Sequence, residues 1–158
     1  MKKPKVIISA CLLGHLCRYD GKTKKTKEFE DAFKEYEIVP FCPEAPLFGT
    51  PRERISVIEI DGVNRIITDE TDKDVTQLLK EEIDSFLEKH SDAVKAVLKS
   101  KSPSCGVGTT PILNEKRERL HYGNGIAGDI FLERLVDIKL LDENTMRLSS
   151  STTKSIFL

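Results

Sequence analysis

No two cysteines in this 158-residue chain are spaced C-x-x-C, which removes the local knuckle of a zinc ribbon and the thioredoxin-like redox motif. The four cysteines are Cys11, Cys17, Cys42 and Cys105, so any site they share must be assembled by the fold. Charge of one sign is not in excess either. The chain sets 25 basic against 26 acidic residues for a formal charge of -1, and no overall positive field argues for a nucleic-acid polymer or an anionic membrane. Long hydrophobic runs are missing: the apolar stretch after Met1-Lys2-Lys3-Pro4-Lys5 stops at Cys11, too short for a signal peptide or a membrane span. The compartment expected is therefore the reducing cytoplasm, where cysteines are free thiols or ligands rather than a disulfide framework. Histidines at paired ligand spacing are absent, so His15, His90 and His121 read as non-ligands, and there is no internal repeat.

What is present suits a single α/β domain over residues 1–158, with a hydrophobic content of 39%. Lys5 to Ala10 is a nearly continuous apolar run, the pattern of a central parallel strand covered on both faces. Phe29, Ala32, Phe33 and Tyr36 mark an amphipathic helix, and Glu37 to Phe41 a second strand. Pro43, Pro46, Gly49 and Pro51 argue against regular structure from Cys42 to Ile55. Ser56 to Ile60 and Asn64 to Thr68 flank the turn signal Asp61-Gly62, which predicts a β-hairpin. Thr71 or Asp72 caps a helix to about His90, with Val75, Leu78, Leu79, Ile83, Phe86 and Leu87 on its apolar face. Ala93 to Lys99 reads as a buried strand, Asn124 or Gly125 opens a helix to about Leu135, and Val136 to Leu141 is a last strand. This order predicts a three-layer sandwich with a mostly parallel, Rossmann-like sheet. Residues 142–158, with Ser149-Ser150-Ser151-Thr152-Thr153, read as a mobile tail.

Cys11, Cys42 and Cys105 each follow one of these short apolar runs. Open α/β sheets bind ligands beyond the carboxyl ends of their strands, so three thiols distant in sequence can meet at one point. Three convergent soft ligands make a metal or iron-sulfur site with one position left open. The competing reading is that cytosolic cysteines are small buried hydrophobes. Their neighbours disfavour it, since Pro43-Glu44 follows Cys42, and Ser102-Pro103-Ser104 with Gly106 brackets Cys105.

Taken together, Ile8-Ser9-Ala10-Cys11-Leu12-Leu13-Gly14, Cys17-Arg18-Tyr19-Asp20-Gly21, Cys42-Pro43-Glu44, Pro51-Arg52, Asp74-Val75-Thr76 and Ser102-Pro103-Ser104-Cys105-Gly106 resemble the bacterial family known as domain of unknown function 523. The characterised members of that family are iron-sulfur-dependent thiouracil desulfidases. The resemblance implies a 4Fe-4S cluster held by residues matching Cys11, Cys42 and Cys105, with the fourth iron free to take sulfur from a thiolated pyrimidine. Water then supplies the carbonyl oxygen, a hydrolytic exchange of C=S for C=O. Glu44 is the candidate base, because a carboxylate beside a dry cluster can have its pKa raised toward neutrality; its structural alternative is to hold the Cys42 loop. Ser102 resembles the family's catalytic serine and can donate a proton or orient substrate, with Ser104 second. Plain turn chemistry competes for both.

Two segments depart from the family pattern, Ala45 to Thr50 and Val107 to Arg119, and both bear on the substrate rather than the cluster. Cys17 as a fourth ligand would close the site; with the other three cysteines it gives the runner-up, a non-catalytic zinc module. A third reading is a nucleotide-binding domain, in which the turn His121 to Gly128 receives an anion on its backbone amides. Arg18, Arg52 and Lys99 can bind a phosphate or carbonyl oxygen, although loop bracing explains such residues more simply, and Asp74 is explained by capping. The expected partner is a small thio-substrate, with neither nucleic acid nor membrane; a homodimer is compatible with the sequence.

Overall fold

The apolar run near the N-terminus becomes β1 (Lys5–Ser9), in which Val6, Ile7 and Ile8 are all fully buried. Successive strand residues face opposite sides, so a strand without alternation must be covered on both. In the computed structural model, which describes residues 3–13, 31–49, 52–135 and 137–148, the side chains of 146–148 excepted, Ile7 enters one core cluster while Val6 and Ile8 enter another.

β1 lies between β2 (Glu37–Phe41) and β5 (Lys95–Val97), with β8 (Lys139–Leu141) beyond β5. All three pairings are parallel. Ser9 stands opposite Phe41 and Ile8 opposite Val97, so the carboxyl ends of three strands lie side by side. Because the chain leaves β1 for β2 on one side and later returns to β5 on the other, a crevice opens at the end of β1, the place where such sheets bind ligands. Pro40 is tolerated because β2 is an edge strand.

A second four-stranded sheet has the order β4-β3-β6-β7. Its hairpin, β3 (Ile55–Ile60) and β4 (Val63–Thr68), turns at Asp61 and Gly62, whose φ of 52° and 78° are the two left-handed positions of the hairpin turn expected there. Strands β6 (Thr110–Leu113) and β7 (Arg119–Gly123) differ from the sequence reading, which held loop and turn in this region. The mixed α/β class with a parallel sheet stands, enlarged by this second sheet. Helix α2 (Thr76–Lys89) buries Leu79, Ile83 and Leu87 in the same core as Ile7, Val57 and Ile112, whereas Leu78 faces solvent. Its N-cap is Val75 rather than Thr71 or Asp72, and the Asp74 carboxylate just before it accepts from the Thr76 N–H at 3.0 Å. Helix α3 (Ile126–Arg134) adds Ala127, Ile130 and Phe131 to that core.

Two short helices complete the described elements. Five residues expected to be irregular form α1 (Glu44–Phe48), directly after Cys42. Residues assigned to a mobile tail form α4 (Glu143–Leu148), anchored by a buried Glu143. Most of the helix expected around Phe29, together with His15, Cys17, Arg18 and the serine-threonine tail, lies outside the described residues.

Candidate active site

Cys11 sits in the 3-10 turn Ala10–Leu13 that ends β1, Cys42 follows the last residue of β2, and Cys105 closes the loop that leaves β5. Together with Ser9, Glu44 and Ser102 they line one cavity of about 280 Å³. Cys11 and Cys105 are buried and Cys42 is half-buried. Burial pushes the Cys105 thiol far above its ordinary range; a hydrogen bond from Ser9 pulls the other way, and Cys42, Cys11 and Glu44 push it up further. Such a thiol is not a ready nucleophile.

The Cys105 loop is locked by its own serines. The Ser102 hydroxyl oxygen accepts the Ser104 and Cys105 N–H groups at 3.1 and 3.0 Å, and the Ser102 carbonyl accepts from the Gly106 N–H at 2.9 Å and the Thr110 hydroxyl at 2.7 Å. Turn chemistry is therefore present at Ser102, and it has a chemical consequence. A hydroxyl has two lone pairs and one hydrogen; with both lone pairs engaged, Ser102 acts as a donor.

Gly106 cannot be replaced freely, since a Cβ there would lie 2.0 Å from the Thr110 hydroxyl. Gly125 and Gly128 let α3 approach this loop backbone to backbone: a Cβ on Gly128 would stand 2.2 Å from the Gly106 carbonyl. The amides of Gly125, Ile126 and Ala127 donate to the carbonyls of Gly106, Pro103 and Ser104. These are the donors proposed to receive an anion, and they are spent on bracing the Cys105 loop.

Glu44 opens α1 and is held at both oxygens. Arg52 Nε donates to Oε1 at 3.1 Å, and the fully buried Ser104 hydroxyl donates to Oε2 at 2.6 Å. The Arg52 side chain is 5% exposed and that of Glu44 12%, so this is an interior ion pair rather than a surface one. Arg52 also donates to the Gly49 carbonyl at 2.9 Å, spanning α1 from its first residue to its end. The Ala45 N–H donates to Cys42 Sγ at 3.5 Å, so the turn that presents Glu44 also supports the thiol. Arg52 and Lys99 both take the bracing role. The Lys99 ammonium pairs with Glu143 at 2.7 Å, and Glu143 accepts the Ser100 N–H and hydroxyl at 2.8 Å each.

The structure thus brings together Cys11, Cys42, Cys105, Glu44 and Ser102, and places Ser104 behind the wall as the partner of Glu44. Asp74 accepts the first amide of α2, that of Thr76, and pairs with Arg65 at 2.7 Å, away from the site. His121 lies on an exposed strand, and His90 stacks on Phe86 with ring centroids 4.7 Å apart. Sequence reasoning did not identify Ser9, Ser100 or Glu143; each is a single polar residue whose partner is remote in the chain.

The donor set fits an iron-sulfur cluster better than one ion. Among the described residues no group of three or more His, Cys, Asp or Glu could hold a single metal ion, and Cys17, the fourth member of the zinc reading, lies outside them. A cluster asks less convergence of its ligands, because each thiolate binds its own iron. Three soft sulfurs around one cavity meet that need.

The model of the 2-thiouracil desulfurase family matches residues 6–143. A solved structure of the [4Fe-4S]-dependent thiouracil desulfidase TudS is similar over 97% of this chain and 99% of its own, with 31% sequence identity and a TM-score of 0.72. The uncharacterized protein YbbK of Bacillus subtilis (strain 168) is 34% identical over 112 residues, 65% of this chain and 74% of that protein.

Proposed function

The chain belongs to the 2-thiouracil desulfurase family, and from that premise we propose that it removes sulfur from a thiolated pyrimidine at a 4Fe-4S cluster held by Cys11, Cys42 and Cys105. The observation that carries this reading is one cavity lined by three cysteines, a fixed carboxylate and a hydroxyl with both lone pairs engaged. When bound, the cluster supplies a thiophilic Lewis acid that polarises the C=S bond and accepts the departing sulfur.

The protein supplies the rest. Glu44, held by Arg52 and Ser104, takes the proton from the water that becomes the carbonyl oxygen. Ser102 donates its hydrogen to a ring nitrogen or oxygen of the substrate and orients the ring. One water is consumed and one sulfide leaves, with no net oxidation, so the reaction is a hydrolysis. The chain acts as one α/β domain in the cytoplasm, the reducing compartment that suits cysteines used as ligands. No helix among the described residues is long and apolar enough to cross a membrane.

Anaerobically purified, cluster-loaded protein incubated with 2-thiouracil and with 4-thiouracil tests the proposal. Uracil and sulfide in equal amounts are expected from at least one of them, and loaded protein that releases no uracil from either contradicts it.

A further inference from the structure

The segment that runs from β5 toward Ser102 is held amide by amide. The Leu98 N–H donates to the Leu141 carbonyl at 2.8 Å, the Lys99 N–H to Ser9 Oγ at 2.9 Å, the Ser100 N–H to Glu143 at 2.8 Å and the Lys101 N–H to Thr109 Oγ1 at 2.9 Å. Of these four acceptors only Glu143 carries a charge.

Its neighbourhood encloses Ser100, which is 3% exposed. Glu143 accepts both the N–H and the hydroxyl of Ser100, Asn144 donates to Ser100 Oγ at 3.2 Å, and the Lys99 ammonium that pairs with Glu143 also donates to the Ser100 carbonyl at 3.0 Å. A buried carboxylate met by a cation and two neutral donors is a rigid anchor. The turn that presents it is fixed as well, since Asp142 accepts the Thr145 N–H at 2.8 Å and closes the start of α4.

The next residue is strained. Lys101 has a φ of 64°, in the left-handed region that a residue with a Cβ enters at a cost and keeps only where its surroundings impose it. Here the imposing bonds are those of Glu143 to Ser100 before the turn and of Thr109 to the Lys101 amide itself. Ser102, directly after the turn, lines the cavity.

Resting on the desulfidase reading above, we propose that Glu143 is a positioning residue of the active site: by fixing Ser100 it imposes the left-handed turn at Lys101 and so sets Ser102 in the cavity wall. The first residue of the last described helix then acts on the reaction through two neighbours in the Cys105 loop.

The test compares wild type, Glu143→Gln and Glu143→Gln/Lys101→Gly, each loaded anaerobically. Hydrogen–deuterium exchange follows residues 99–106 against the β3–β4 hairpin, and kcat and KM for uracil release are measured per loaded chain. Glu143→Gln is expected to speed exchange in 99–106 by a larger factor than in the hairpin. Its kcat is expected to fall about 10- to 100-fold with KM little changed, the size of loss a slightly misplaced group causes. Glycine takes a φ of 64° without steric cost, so adding Lys101→Gly is expected to return part of both losses. In a Ser102→Ala background Glu143→Gln is expected to lower kcat no further, because no hydroxyl is left to misplace. A purely structural role would speed exchange by one factor throughout and leave kcat per loaded chain at the wild-type value; that result overturns the proposal, as does an undiminished loss in the Ser102→Ala background. Should Glu143→Gln fail to fold, Ser100→Ala takes its place and the same outcomes decide. Loaded wild type that releases no uracil defeats the desulfidase reading and this proposal together, whereas active wild type with an unmoved kcat in Glu143→Gln overturns this proposal alone.

Discussion

Glu44 and its two partners form the part of the site where single substitutions separate chemistry from structure. Glu44→Gln keeps the size of the side chain and the Ser104 contact but removes the proton acceptor. It is expected to lower kcat by about 10²- to 10⁴-fold with iron content unchanged, as measured by uracil release from loaded protein. Arg52→Met leaves Glu44 in the interior without its cation, so urea unfolding is expected to show a loss of about 3 kcal/mol.

Glu143 predicts a pH effect at the same scale. Burial alone would raise its carboxyl, but hydrogen bonds from Lys99 and Ser100 and the Lys99 charge outweigh it and hold the group below the ordinary carboxylate range. A depressed folded-state pKa gives stability that is present above the unfolded value and is lost as pH falls through the folded one. Wild type is therefore expected to melt above Glu143→Gln near neutral pH, with the gap closing in acid; a gap independent of pH contradicts this.

Among the elements, α3 has an unexpected task. The glycine-rich turn before it looks in sequence like an anion site, yet its amides and its two close glycines serve to brace the Cys105 loop. Gly128→Ala forces a Cβ onto the Gly106 carbonyl, a backbone atom that cannot swing aside. A loss of about 1–3 kcal/mol in thermal unfolding is expected, together with reduced iron per chain. Wild-type stability and iron content in this variant would contradict the bracing role.

The elements also show where sequence patterns speak and where they do not. The unbroken run of β1 and the Asp61-Gly62 turn state their structures locally, and both are found as expected. Helix α1 hides behind its prolines: Pro43 is its N-cap and Pro46 lies in its first turn, where no amide is needed. Strand β6 hides behind Pro111, which stands one residue before the ladder with β3 begins, and β7 is a five-residue edge whose two alternating apolar residues, Leu120 and Tyr122, stay exposed. The same division holds in the site. Cys11 and Cys42 stand out because each directly follows an apolar run and Cys105 because of its Ser-Pro-Ser-Cys-Gly loop, and Glu44 and Ser102 because they lie within three residues of a cysteine. Ser9 and Glu143 gain meaning only from partners at Lys99 and Ser100 that the fold brings near.

At the scale of the whole molecule, the parallel sheet does one thing for function: it sets three strand ends side by side at the point where the chain reverses direction across the sheet. Every feature of the site follows from that placement, since the loops that carry Glu44 and Ser102 are the ones that carry Cys42 and Cys105. The second sheet and the helices α2 and α3 bury one face of this arrangement in a shared core. The proposed function needs three strand-end cysteines to hold a cluster with a position open to substrate. The iron and acid-labile sulfide content of protein purified without oxygen tests this at its root. A brown protein with about four irons and four sulfides per chain is expected, lost when Cys11, Cys42 or Cys105 is replaced by serine. A colourless protein that takes up no iron on anaerobic reconstitution, or one that carries stoichiometric zinc in its place, would contradict it.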